Sequence, residues 1–182
     1  MVEVLAINTL LFSIFADIHS FISGCRTSML YQLDSLHFQY DNSMNLLRWQ
    51  WRGSLDLDKF IKSFDYLAAF SQQHKVTRWL ADTSDMPLVG IDEQVWLGEQ
   101  WLPQFVELGV KKIGLVLPLS LHNVLVVEHL MFDAQHYTPS NVQFFSDTLA
   151  ALDWLTDSAP RIGMLEQEWQ QLAGGTTAAE QR

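Results

Sequence analysis

Three histidines at a spacing of seven, His122, His129 and His136, are the first residues in this chain to suggest chemistry, because imidazole is the commonest side-chain ligand for metals. In a helix rising about 1.5 Å per residue, neighbours in that series stand roughly 10.5 Å apart, whereas each nitrogen must lie about 2 Å from a zinc ion. One ion cannot hold all three. The set His129, Asp133 and His136 has spacings of four and three and converges on one helix face, but a solvated face with local ion pairs is built the same way. No metal is expected. Ser84 follows an apolar run, yet its context, Asp82, Thr83, Ser84, Asp85 and Met86, lacks the Gly-x-Ser-x-Gly elbow that projects a nucleophilic hydroxyl. Asp82, Thr83 and Asp85 are the side chains that form turns by bonding to nearby backbone. The carboxylates Asp82, Asp85, Asp92 and Glu93 gather about this one turn and are close enough in sequence to perturb each other's proton affinity. The nine glycines are scattered, and Gly90, Gly98, Gly109 and Gly114 form neither nucleotide fingerprint. The chain reads as non-enzymatic, with no catalytic residue and no cofactor.

The elements that must position these residues follow from periodicity. Leu36, Phe38 and Tyr40 alternate with polar residues as in a half-buried strand, and after a turn at Asp41–Ser43 the run Met44–Trp51 supplies its hairpin partner. Trp49 and Trp51 then point to one face, Arg48 and Gln50 to the other. From Asp56, an N-cap, the residues Leu57, Phe60, Ile61, Phe64, Leu67 and Ala68 mark an amphipathic first helix. Val76–Ala81 is a third strand and Asp82–Gly90 a polar turn. Asp92 is expected to cap a second helix that buries Val95, Trp96, Leu102, Phe105 and Val106, kinks or stops at Pro103 and closes at Gly109. Trp96 and Trp101 are five residues apart, about 140° around an α-helix, so they do not both face the core squarely. The favoured reading is that both lie in the core or at its rim, and the alternative is that one is partly exposed as an interface anchor.

Ile113–Leu117 is a central strand, and Leu119–Gln135 a third helix with Leu121, Val124, Leu125, Val127, Leu130 and Met131 on its apolar side. Val142–Phe145 is a fifth strand. Asp147 caps a helix over Thr148–Thr156 that buries Leu149, Leu152 and Leu155. This order predicts an α/β fold: a mixed sheet of about five strands with flanking helices, built from an N-terminal β-hairpin followed by alternating helices and strands. The division expected is an N-terminal extension over 1–29, one domain over 30–157, and a C-terminal helix near Met164–Leu172 with a tail over 158–182.

Composition bounds the partners. The 182 residues are 48% hydrophobic, with seven Trp and eleven Phe, ample for one core. A formal charge of −10 is the wrong sign for gripping a phosphate backbone, so nucleic acid is not an expected partner. Cys25 is the single cysteine, which excludes an internal disulfide. Asn8, Thr9, Ser13, Asp17, His19 and Ser20 interrupt the apolar N-terminal run, so no membrane span is expected. Ile22, Ser23, Gly24 and Cys25 are similar to the lipobox of bacterial lipoproteins, which would anchor the chain to a membrane through Cys25. Against that, no Lys or Arg precedes the apolar run, and Met29 could be the native start. The favoured expectation is a cytoplasmic protein whose extension is not part of the folded unit.

Several local strings, taken in order, carry a family resemblance: Trp51 and Gly53 ahead of the first helix, Asp82 and Thr83 after the third strand, Trp96 and Pro103 in the second helix, Gly109 with Lys111 and Lys112 before the fourth strand, and Asp153, Trp154 and Leu155 near the end. Over roughly Leu36–Leu155 the chain resembles the small bacterial STAS-like proteins, which have the fold of anti-sigma factor antagonists and are related to the CRAL-TRIO lipid-transfer domains. The resemblance implies a regulatory, protein-binding module acting in signal transduction. The antagonists carry a phosphorylated Ser at the start of the second helix, where phosphate charge suits a helix N-terminus. Here that place is taken by Ile91, Asp92 and Glu93, none with a hydroxyl. The expected partner surface comprises Asp82, Thr83, Ser84, Asp85, Asp92, Glu93 and Trp96. A protein partner is expected there, and a homodimer is compatible with it. The alternative, suggested by the CRAL-TRIO relation, is a carrier of a lipid or other apolar small molecule.

Overall fold

The computed structural model describes residues 28–135 and 140–175 of the chain. They form an α/β fold around a mixed six-stranded sheet in the order β1-β2-β3-β4-β5-β6. The strands are β1 (Ser28–Gln32), β2 (Leu36–Asp41), β3 (Leu46–Trp51), β4 (Arg78–Asp82), β5 (Lys112–Val116) and β6 (Asn141–Phe145). The first three pair antiparallel and the last four parallel. The helices are α1 (Leu57–His74), α2 (Ile91–Trp96), a π-helical turn (Leu97–Trp101), α3 (Leu102–Val106), α4 (Leu121–Gln135), α5 (Thr148–Thr156) and α6 (Ile162–Gly175). None of the helices among the described residues is long and apolar enough to cross a membrane.

Because β3 to β6 are laid down in one direction without reversal, right-handed crossovers put α1, α2–α3 and α4 on the same face. The main core lies there: Trp49, Phe64, Trp79, Trp96, Trp101 and Phe105 stack edge-on and tilted beneath these helices. Covering the opposite face falls to the chain beyond β6. Leu46, Leu80 and Val116 pack there against Ala151, Leu152 and Leu155 of α5 and Leu165 of α6. Close approach needs Gly114, since a Cβ there would stand 3.0 Å from Leu155 Cδ1. The monotonic order contains no point where strand order reverses, which is where open α/β sheets form a ligand crevice at the carboxyl ends of their strands.

Four local differences from the sequence reading have physical causes. The sheet gains β1, whose Ser28 and Met29 lie within the stretch assigned to the extension and pair with Asp41 and Tyr40. At the other end, α6 is longer than expected and packs into the fold through buried Leu165 and Trp169, so the folded unit runs past the domain end expected at Asp157. Asp92 is not the cap of α2: Gly90 occupies that place, makes no side-chain bond, and leaves Asp92 exposed. Finally, Trp96 and Trp101 are both buried, in keeping with the favoured reading, but they share one face that a regular α-helix would not give them. Pro103 has no N–H to donate within the helix, and the chain meets this with a π turn in which the Leu102 N–H bonds to Leu97 O. Bonding over five residues brings Trp96 and Trp101 onto one face. An angle taken from a regular α-helix does not apply there.

Candidate functional site

The turn after β4 is built by its own side chains. Asp82, buried at the end of β4, accepts from the Ser84 N–H at 3.2 Å and from Ser84 Oγ at 2.6 Å. Thr83 Oγ1 donates to Val116 O at 2.7 Å and ties the turn to β5. Asp85 is exposed and accepts from Gln50 Nε2 at 3.3 Å. Asp82, Thr83, Ser84 and Asp85 are therefore one structural unit. The helix residues expected to join them do not. Asp92 is exposed, Glu93 is buried with its carboxylate folded back over Gly90, and Trp96 stacks edge-on to Phe60 and Phe64. Trp96 is a core residue and offers no surface anchor.

Sequence reasoning missed Asn123. It is 1% exposed on α4, its Oδ1 accepts from the Val89 N–H at 3.0 Å, and its Nδ2 donates to Met86 O at 3.0 Å and Pro87 O at 2.9 Å. His122 Nε2 sits 2.9 Å from Val89 O, and Gln94 Nε2 donates to the same oxygen at 3.0 Å. The loop leading into α2 is thus fastened to the first turn of α4. The two helices present apolar side chains outward beside this fastening: Ile91 is 78% and Val95 50% exposed on α2, Leu121 74% and Leu125 58% on α4, and Leu88 on the loop 64%. Val95, Leu121 and Leu125, expected in buried stripes, therefore face solvent. On a helical wheel Leu121 and Leu125 fall opposite Asn123, Val126 and Leu130, so the wheel carried a signal that α4 has two apolar faces.

Beneath α2–α3 and α4 lies a cleft of about 80 Å³ lined by Trp79, Trp101, Phe105, Leu115, Val126 and Leu130 among others. A cavity of about 150 Å³ is needed to admit benzene, and ligand sites start near 300 Å³. The cleft is too small for a lipid as it stands.

The other face of the sheet is polar under α6. His37 on β2 faces Gln50 on β3, which neighbours Asp82 on β4. Arg48, 3% exposed, donates to Glu166 Oε2 at 2.7 Å and lies 4.2 Å from the Trp169 ring centre. Burial pulls the Arg48 guanidinium below its ordinary value, while Glu166 and then Asp82 act to keep it charged. Burial also lowers the pKa of His37 from its ordinary 6.5, and the positive charge of Arg52 lowers it further. His74 is lowered by burial alone. An unfolded chain binds protons at these groups that the folded chain refuses, so stability is lost as pH falls below about 6.5 toward the folded values. The urea midpoint is expected to fall between about pH 7.5 and pH 5.5, and to fall less in His37→Gln. An equal fall in both proteins would show that His37 does not titrate in this window.

His129 and Asp133 approach to 3.7 Å on the exposed side of α4, and His136 of that set lies outside the described residues. Among the described residues no three His, Cys, Asp or Glu side chains gather as a metal set. Cys25 also lies outside them. Compared with family models, curated proteins and solved structures, the chain matches none, so the likeness to the STAS-like group rests on its short strings of residues and their order alone.

Proposed function

We propose that this chain is a non-enzymatic protein-interaction module of STAS-like type that acts in regulation and docks a protein partner on the outer surface of α2 and α4. The observation that carries this reading is the set of outward apolar side chains Leu88, Ile91, Val95, Leu121 and Leu125, held together by Asn123 and rimmed by acidic groups. Five exposed aliphatic residues in one region of a folded domain are what a partner surface requires and what an isolated surface avoids. Of the residues singled out in the sequence, Asp92 lies exposed on α2, Asp82, Thr83, Ser84 and Asp85 belong to the turn, and Glu93 and Trp96 support the helix from within. The place of the antagonists' phosphorylated Ser is held by fixed charge at Asp92, so docking here is not switched by a kinase at that position. The carrier reading has weaker support, since the apolar cleft would have to open several-fold to hold a lipid and the larger hollow of about 410 Å³ is lined only by Gly98, Leu102, Pro103 and Val106.

Photo-crosslinking in the cells that make the protein tests the proposal. A photoreactive residue in place of Val95 or Leu125 should yield one discrete adduct that is lost when Ile91→Glu is added. The same probe at Met164, exposed on α6, should not yield it. Equal adducts at all three positions would remove the case for this surface.

A further inference from the structure

The charge around the surface says what kind of partner fits it. From Trp79 to Pro160 the only Lys or Arg residues are Lys111 and Lys112. Both stand at the amino end of β5, away from the docking surface, and Lys112 Nζ is held by Asp157 at 2.7 Å. At the surface itself Asp92, Glu99 and Glu128 are all exposed, and α2, the π turn, α3 and α4 contain no Lys or Arg. The result is an aliphatic centre whose own helices carry only acidic charge, bordered by Lys59 and Lys62 on the neighbouring α1.

Resting on the proposed docking role, we infer that the partner presents a cationic amphipathic helix, with aliphatic residues at i, i+3 or i+4 and i+7 on one side and Lys or Arg along its flanks. The chemistry of the surface selects this occupant. A second copy would set these acidic helices against their like in a chain of net charge −10. An anionic membrane or a nucleic acid would be repelled for the same reason. The outward pairs Ile91 and Val95 on α2, and Leu121 and Leu125 on α4, each repeat at four residues, and the His122 contact to Val89 O ties the loop that starts α2 to the first turn of α4. A third helix can lay its apolar stripe against these side chains, with basic groups meeting Asp92 of α2 and Glu128, which continues the line of Leu121 and Leu125 on α4.

The test uses a synthetic helix bearing Leu at those anchor positions and Lys elsewhere, titrated against the full chain by fluorescence anisotropy. The double variant Ile91→Glu/Leu121→Glu is expected to weaken binding by roughly tenfold or more, because aliphatic anchors at the centre are lost. Simple charge attraction would tighten, since two negative charges have been added. Asp92→Lys/Glu128→Lys should weaken the Lys helix and bind a Glu-bearing helix with the same Leu stripe instead. Met164→Glu should change neither. Unchanged or tighter binding by the Ile91→Glu/Leu121→Glu variant overturns the inference. If that happens while the discrete crosslink at Val95 persists, the docking surface stands and only the cationic-helix partner is wrong. If the crosslinks are also indifferent to position, both readings fall.

Discussion

Replacing Glu166 by alanine is expected to cost about 3 kcal/mol of stability, read as a lower urea midpoint at unchanged slope. Arg48 projects from the middle of β3, paired across the sheet with Gln39 and Leu80, and is 3% exposed beneath α6. Its charge is held by Glu166 at 2.7 Å and by the face of Trp169. Without the carboxylate a guanidinium stays buried with a ring as its nearest compensation. Breaking a buried pair from one side costs about 3–5 kcal/mol, and because Glu166 is 19% exposed, water can reach the gap and the low end applies. The pair itself is worth much less than that. The double variant Arg48→Met/Glu166→Leu keeps the volume and removes both charges, so it should regain most of the loss. If the double variant is as unstable as Glu166→Ala, the stem of Arg48 matters through packing and the charge argument is wrong. The same chemistry makes α6 the easiest helix to lift. Beneath it lie Gln39 and Arg48 as well as Leu46 and Leu80, and polar groups regain hydration when uncovered.

How much of this was legible in the sequence depended on whether the deciding interaction was local. Alternation at Leu36, Phe38 and Tyr40, and the three-and-four spacing from Phe60 to Leu67, fix which way each side chain points, and the α/β order followed. The covering of the opposite face was not local. Gln39 and Arg48 read as the outer side of a half-buried hairpin, yet α6 buries them from more than a hundred residues away through Leu165, Glu166, Glu168 and Trp169. Geometry misled at Trp96 and Trp101, where a regular 3.6-residue period does not survive next to a proline that the chain accommodates by changing the period. At the proposed docking surface the candidate acids are legible along the chain, but Val95, Leu121 and Leu125 read as inward-facing. Ile91 stands out in the sequence only as the residue where a phosphorylated Ser would be sought. An apolar residue on a helix signals burial against something, and sequence does not say whether that is the chain's own core or a partner's.

Asn123 is the second residue whose loss should be large. It makes three hydrogen bonds to the loop before α2, and only one orientation of its amide satisfies them, with the oxygen toward the Val89 N–H and the nitrogen toward two carbonyls. Asn123→Leu orphans all three backbone groups. At about 1–3 kcal/mol for each buried group left unpaired, and with Pro87 partly exposed and able to find water, a total of about 2–4 kcal/mol is expected. Asn123→Asp separates hydrogen bonding from size. The introduced carboxylate would still accept from Val89 but would face the Met86 and Pro87 oxygens, raising its pKa in the folded state. A raised carboxyl pKa gives stability that is present at low pH and lost as pH rises through the folded value, so this variant should become more stable on acidification relative to the parent. A pH-independent deficit equal to that of Asn123→Leu would mean that shape, not the two donated bonds, holds the loop. Because the loop sets Leu88 and the start of α2 against α4, either variant should also weaken the synthetic cationic helix under conditions where the protein is still folded. A stability loss without any loss of binding would show that the two outward pairs keep their places without this side chain.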